Sequence, residues 1–118
     1  MKSPLICTNV AEGHSRAVLA LSATDDVLFS ASKDKTVKVW DLHEGVEMAT
    51  LNGHPNSVTS VQYDEKSWLA YTVSSAYIKV WDMRYNKCVR TLRLVVSFFF
   101  RAKLSLFLRA LFRVCNMA

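Results

Sequence analysis

Apolar and polar residues alternate with a period of two through most of the chain, in short stretches rich in β-branched and aromatic residues. That period puts successive side chains on opposite faces of an extended backbone, and stretches this short fit antiparallel strands better than helices. Ala17 to Ser22, Val27 to Ser32, Thr36 to Trp40 and Val46 to Leu51 read as four strands, and Ser57 to Tyr63, Trp68 to Val73, Ala76 to Trp81 and Cys88 to Leu92 as four more. Polar turns divide them: Thr24-Asp25-Asp26, Lys33-Asp34-Lys35 and His43-Glu44-Gly45, then Asp64-Glu65-Lys66 and Arg84-Tyr85-Asn86. Asp supplies a carboxylate for nearby backbone N–H groups there, and Gly tolerates positive φ. The expected fold is all-β. From Leu94 the alternation stops, and 94–118 reads as an apolar basic tail, helical or disordered.

The two sets of strands are also two copies of one phrase. Gly13-His14 recurs as Gly53-His54, and Val37-Lys38-Val39-Trp40-Asp41 as Ile78-Lys79-Val80-Trp81-Asp82. A period near forty residues, opened by Gly-His and closed by Trp-Asp, resembles the four-stranded blade of a WD-repeat β-propeller. The resemblance implies two adjacent blades, residues 13–52 and 53–93, belonging to an incomplete propeller. Residues 1–12, with Leu5 to Val10 extended, then take the place of a closing strand of a preceding blade. Blades share faces, so two with open flanks are expected to be marginal alone.

The same resemblance implies a buried relay in the first blade: Trp40 indole to the Ser32 hydroxyl, Ser32 to the His14 ring, and His14 to the Asp34 carboxylate. In the second blade His54 and Trp81 are present and Ser74 is expected to supply the hydroxyl, but no Asp lies between Ser74 and Trp81. That relay is expected to be incomplete. His14, Ser32 and Asp34 also have the residue types of a hydrolytic triad. The resemblance argues against that chemistry, because it buries the hydroxyl against Trp40 with no oxyanion hole.

Less generic phrases narrow the family. Val-Ala-Glu-Gly-His at 10–14, Asp-Asp-Val-Leu-Phe-Ser-Ala-Ser-Lys-Asp at 25–34, Gly-His-Pro-Asn-Ser-Val at 53–58 and Thr-Val-Ser-Ser-Ala-Tyr-Ile-Lys-Val-Trp-Asp-Met-Arg at 72–84 resemble the C-terminal propeller of long kinesin-4-family motor proteins. This implies a non-catalytic scaffold for cargo, regulatory or microtubule contacts, cytoplasmic and associated with the cytoskeleton. Partner-binding loops are expected at Arg16, Lys33 and Lys35 in the first blade and at Asn56 and Ser75 in the second, where lysines could meet acidic tubulin tails or acidic peptides. Two other readings remain open: a WD-repeat adaptor of another complex, such as a ubiquitin-ligase receptor, and a small protein attached to membranes through its tail.

Charge and chemistry-bearing residues change this picture little. The chain carries 15 Lys and Arg against 10 Asp and Glu, but Arg101, Lys103, Arg109 and Arg113 lie in the acid-free tail, leaving the rest nearly balanced. Nucleic acid is not an expected partner. Cys7, Cys88 and Cys115 form no CxxC pair, and His43 with Glu44 has no third ligand spaced for a metal. Glycines at 13, 45 and 53 alone cannot build a phosphate cradle, so no cofactor is expected. The start of the chain lacks the apolar run of a secretory signal.

The tail has three readings. Its uncharged run Leu94 to Phe100 is too short to span a bilayer, while Ser97, Arg101, Ser105, Arg109 and Arg113 recur every fourth residue as on an amphipathic helix lying on anionic lipid. Alternatively it packs against an open blade face. The reading given most weight is read-through of sequence never selected for structure, motivated by the abrupt break after Arg93.

Overall fold

The computed structural model describes residues 6–93. Eight strands follow in chain order: β1 (Val18–Ala23), β2 (Val27–Ser32), β3 (Val37–Asp41), β4 (Glu47–Leu51), β5 (Val58–Asp64), β6 (Leu69–Ser74), β7 (Tyr77–Asp82) and β8 (Lys87–Arg93). They form two separate antiparallel sheets, β1-β2-β3-β4 and β5-β6-β7-β8, each a meander of sequential neighbours. No helix occurs among the described residues, and none there is long and apolar enough to cross a membrane.

Even the irregularities repeat. Each sheet shifts register near the start of its first strand, between Val18 and Ala20 and between Val58 and Ser60, and again where its third strand meets its fourth, at Val39/Trp40 and Val80/Trp81, which leaves Met48 and Val89 of the fourth strands as the extra residues. A bulge raises the local twist of the strand that carries it, and here the shifts fall at matching places in both sheets.

The sheets pack face to face through β1, β2 and β5. Phe29, Ala31, Val37, Val39 and Leu51 of the first sheet form one buried cluster with Val58, Val61, Ala70 and Trp81 of the second. Phe29 stacks on Tyr63 with ring centroids 4.6 Å apart, and the Tyr63 N–H donates to Ser22 Oγ at 3.2 Å. Burial pushes the Tyr63 phenol upward. At the far side β8 is exposed along its whole length and carries Lys87, Arg90 and Arg93 with no acid.

Two expectations require correction. Ile6 to Val10 forms no strand, although its residues alternate. An extended segment becomes a strand only when a neighbour offers a ladder, and among the described residues none pairs with it; Asn9 instead lies beside the β3–β4 turn at Gly45. Trp68 does not open β6 but sits in the preceding turn with φ of 61°, in the left-handed region. Leu5 and the tail 94–118, with its membrane, packing and read-through readings, lie outside the described residues.

Candidate functional site

Register decides which hydroxyl each tryptophan meets. Trp40 lies opposite Leu28, so the next residue on the same face, diagonally placed, is Ser30. Ser32 is two residues further, about 6.6 Å along the strand. The Trp40 indole accordingly donates to Ser30 Oγ at 2.8 Å, not to Ser32. Ser30 Oγ is 2.7 Å from His14 Nε2, and His14 Nδ1 is 2.8 Å from Asp34 Oδ2. With the indole hydrogen bound to Ser30, the consistent network has the Ser30 hydroxyl donating to Nε2 and Nδ1–H donating to the carboxylate.

Ser32 has other work. Its hydroxyl contacts the Arg16 and Ala17 carbonyls at 3.2 and 2.9 Å and accepts the Asp34 N–H at 3.1 Å, which fastens the segment after His14 to the β2–β3 turn. Asp34 caps that turn, accepting from Ser15 N–H, Thr36 N–H and the Thr36 hydroxyl as well as from His14. Burial alone would raise its pKa, but the bonds from Thr36, His14 and Ser15 outweigh it and hold the carboxyl well below the usual range.

The second blade shows the same geometry with different members. Trp81 lies opposite Ala70, the diagonal neighbour is Thr72, and the indole donates to Thr72 Oγ1 at 3.0 Å. Ser74, the expected partner, instead bonds the Asn56 carbonyl at 2.8 Å and accepts the Asn56 N–H at 3.0 Å. Thr72 Oγ1 is 2.8 Å from His54 Nε2, so its hydroxyl donates there. His54 Nδ1–H then donates to the Lys35 carbonyl at 3.2 Å, across the boundary between sheets. The expected gap is therefore filled by backbone of the first blade. Burial pushes His54 down to about 4, with the Lys35 carbonyl opposing and the Lys79 charge assisting the shift.

The two Gly-His landmarks serve different needs. A Cβ on Gly13 would stand 3.0 Å from the ring of the buried Trp40, which would have to shift by a few tenths of an ångström, so the close approach of the loop favours glycine. At Gly53 there is open space, but φ is 101°, a backbone that side chains rarely adopt.

The expected partner-binding loops gather at the relay end of both sheets. Arg16, Lys33, Lys35 and Asn56 are exposed and Ser75 is half-buried. Backbone groups here are fastened, Lys33 N–H to the Ala17 carbonyl at 2.9 Å, Ser57 Oγ to the Lys33 carbonyl at 3.4 Å and Asn56 N–H to Ser74 Oγ at 3.0 Å, and the side chains of Asn56 and Ser75 meet, Nδ2 to Oγ, at 3.3 Å. Lys35 and Ser75 hold positive φ in equivalent turns.

Hydrolytic chemistry finds no support in this geometry. The serine touching His14 is Ser30, only 4% exposed and already bonded on both sides. His43 Nε2–H donates to Asp26 Oδ1 at 2.7 Å, and no group of three metal-ligating side chains occurs among the described residues.

The chain matches the family described as WD domain, G-beta repeat, over residues 5–41 and 45–82. Among similar proteins, Kinesin-like protein KIF21A of Homo sapiens is 56% identical over 90 residues, covering 75% of this chain and 5% of its own length. Kinesin-like protein KIF21B of Mus musculus is 53% identical over 91 residues, 76% of this chain and 6% of that protein. F-box/WD repeat-containing protein sel-10 of Caenorhabditis elegans is 32% identical over 86 residues, 73% and 15% respectively. The chain thus spans a small part of these relatives. A solved structure titled "Crystal structure of RRP9 WD40 repeats" superposes with a TM-score of 0.65 at 26% identity, covering 70% of this chain and 26% of that one. Matched over both repeats, with each Trp-Asp at the end of a third strand, the chain belongs to the WD domain, G-beta repeat family.

Proposed function

We propose that the two blades form a non-catalytic protein-interaction platform of a kinesin-like protein, serving cargo, regulatory or microtubule-associated binding in the cytoplasm. The observation that carries this reading is the relay-end surface, where Arg16, Lys33 and Lys35 project from backbone fastened by the hydrogen bonds above, with Asn56 and Ser75 beside them. Backbone already held by hydrogen bonds lowers the ordering cost of binding, and three cations favour an acidic partner segment. Higher identity to the kinesin-like proteins than to the F-box/WD protein supports this assignment over the adaptor reading.

Co-sedimentation of the chain with microtubules tests it. Binding is expected to fall at least fivefold when Arg16, Lys33 and Lys35 are all changed to Glu, and to fall similarly when the acidic tubulin tails are removed by protease. Equal binding in all three cases would remove tubulin from the proposal.

A further inference from the structure

The end of the sheets opposite the relays carries a second surface. An apolar cleft of about 150 Å³ opens there between the sheets, bounded by Phe29, Met48, Tyr63, Trp68 and Met83. A recess of about 440 Å³ shares Tyr63 and Trp68 and adds Asp26, Glu65 and Lys66.

Trp68 is the unusual member. Its φ of 61° is a conformation that Gly or Asn would hold with less strain, yet a bulky indole occupies it and remains 52% exposed. Burial does not explain the choice. Strained backbone of this kind clusters at ligand-contacting positions. The Trp68 carbonyl accepts the Met83 N–H at 2.8 Å, tying the indole's backbone to the turn after β7. Met48 and Met83 add side chains that adapt to irregular apolar shapes, beside a rigid aromatic lip.

We propose that this inter-sheet cleft binds a peptide segment of a partner protein that presents one large apolar side chain next to a Lys or Arg. The apolar group enters between Phe29, Met48, Tyr63 and Met83, and its basic neighbour meets the Asp26 and Glu65 carboxylates beside the face of Trp68. Asp26 also accepts from His43, which that bond inclines toward its charged form, and among the described residues lining the recess Asp26 and Glu65 face one lysine, Lys66. The surface lies at the opposite end from Arg16, Lys33 and Lys35 and stands independently of the tubulin reading.

The test is a titration of the ¹⁵N-labelled full chain with the synthetic peptide Gly-Ser-Arg-Phe-Gly-Ser up to millimolar concentration. Trp40 and Trp81 are buried in their relays and provide internal references. The Trp68 indole signal and the Met83 amide are expected to move and saturate while the other two indoles stay in place. Replacing Arg by Glu, or Phe by Ala, in the peptide is expected to weaken binding at least fivefold. Trp68→Asn suits the positive φ and so preserves folding, and is expected to cut the affinity read at Met83 at least fivefold; Asp26→Asn with Glu65→Gln is expected to erase the preference for Arg over Glu. Equal binding of the three peptides, or no movement of Trp68, would overturn the proposal. So would a shift of the Trp68 signal on deleting residues 94–118 without peptide, which would assign the cleft to the chain's own segment.

Discussion

The two blades give their histidines different final acceptors. In the first, the β2–β3 turn is four residues long, 33–36, and places the Asp34 carboxylate against His14 within the same sheet. In the second, the corresponding turn is only 75–76 and brings no carboxylate, so His54 reaches across to the Lys35 carbonyl. One relay is charged and self-contained; the other is neutral and borrowed. A residue missing from a repeat is thus replaced by the neighbour's backbone, which makes the relay of the second blade depend on the first blade, whereas the relay of the first is complete within its own sheet.

The sharpest way to break that asymmetry is Asp34→Ala. It strips an acceptor from His14, Ser15 and Thr36 and is expected to cost about 3 kcal/mol, because donors at a largely buried site lose a charged partner. It also loosens the turn that offers the Lys35 carbonyl, so the Trp81 indole resonance is expected to move along with that of Trp40. Denaturant midpoints and the two indole signals check both statements.

Acidification probes the neutral relay. The folded chain holds His54 at about 4 against an ordinary 6.5, so the unfolded chain takes up the proton first. Stability present above pH 6.5 is expected to decline between 6.5 and 4, by about 3 kcal/mol. The charged relay is lost later, below the ordinary 3.8 of Asp34, whose carboxyl is held lower still in the fold. A His54→Asn chain with an unchanged pH dependence would contradict this order.

The smallest effects separate the hydroxyls. Ser30→Ala and Thr72→Val are each expected to cost about 1–2 kcal/mol by orphaning an indole N–H and a ring nitrogen. Ser32→Ala and Ser74→Ala leave both indole N–H groups bonded, and their indole resonances are expected to stay in place.

Much of the architecture was legible because burial on one face writes a period of two into the strands, and the Gly-His and Trp-Asp pairs marked where each blade turns. The hydroxyl partners were not, because Ser30 and Ser32 share a face and only the opposition of Trp40 to Leu28 chooses between them. The Lys35 carbonyl left no trace at all, since every residue carries one. Trp68 looked like the start of a strand from its ring, and only its φ shows that it belongs to the turn. Ile6 to Val10 had the alternation of a strand but gained no ladder.

Among the described residues β8 is an outer edge strand, and this has a bearing on solubility. A row of unpaired N–H and C=O groups is a template on which another chain can grow, and natural sheets defend such rims with lysine, arginine or proline. Lys87, Arg90 and Arg93 supply that defence here. In a cross-β stack the same cations would recur every 4.8 Å or so up the fibril, a column of like charge that opposes its own elongation.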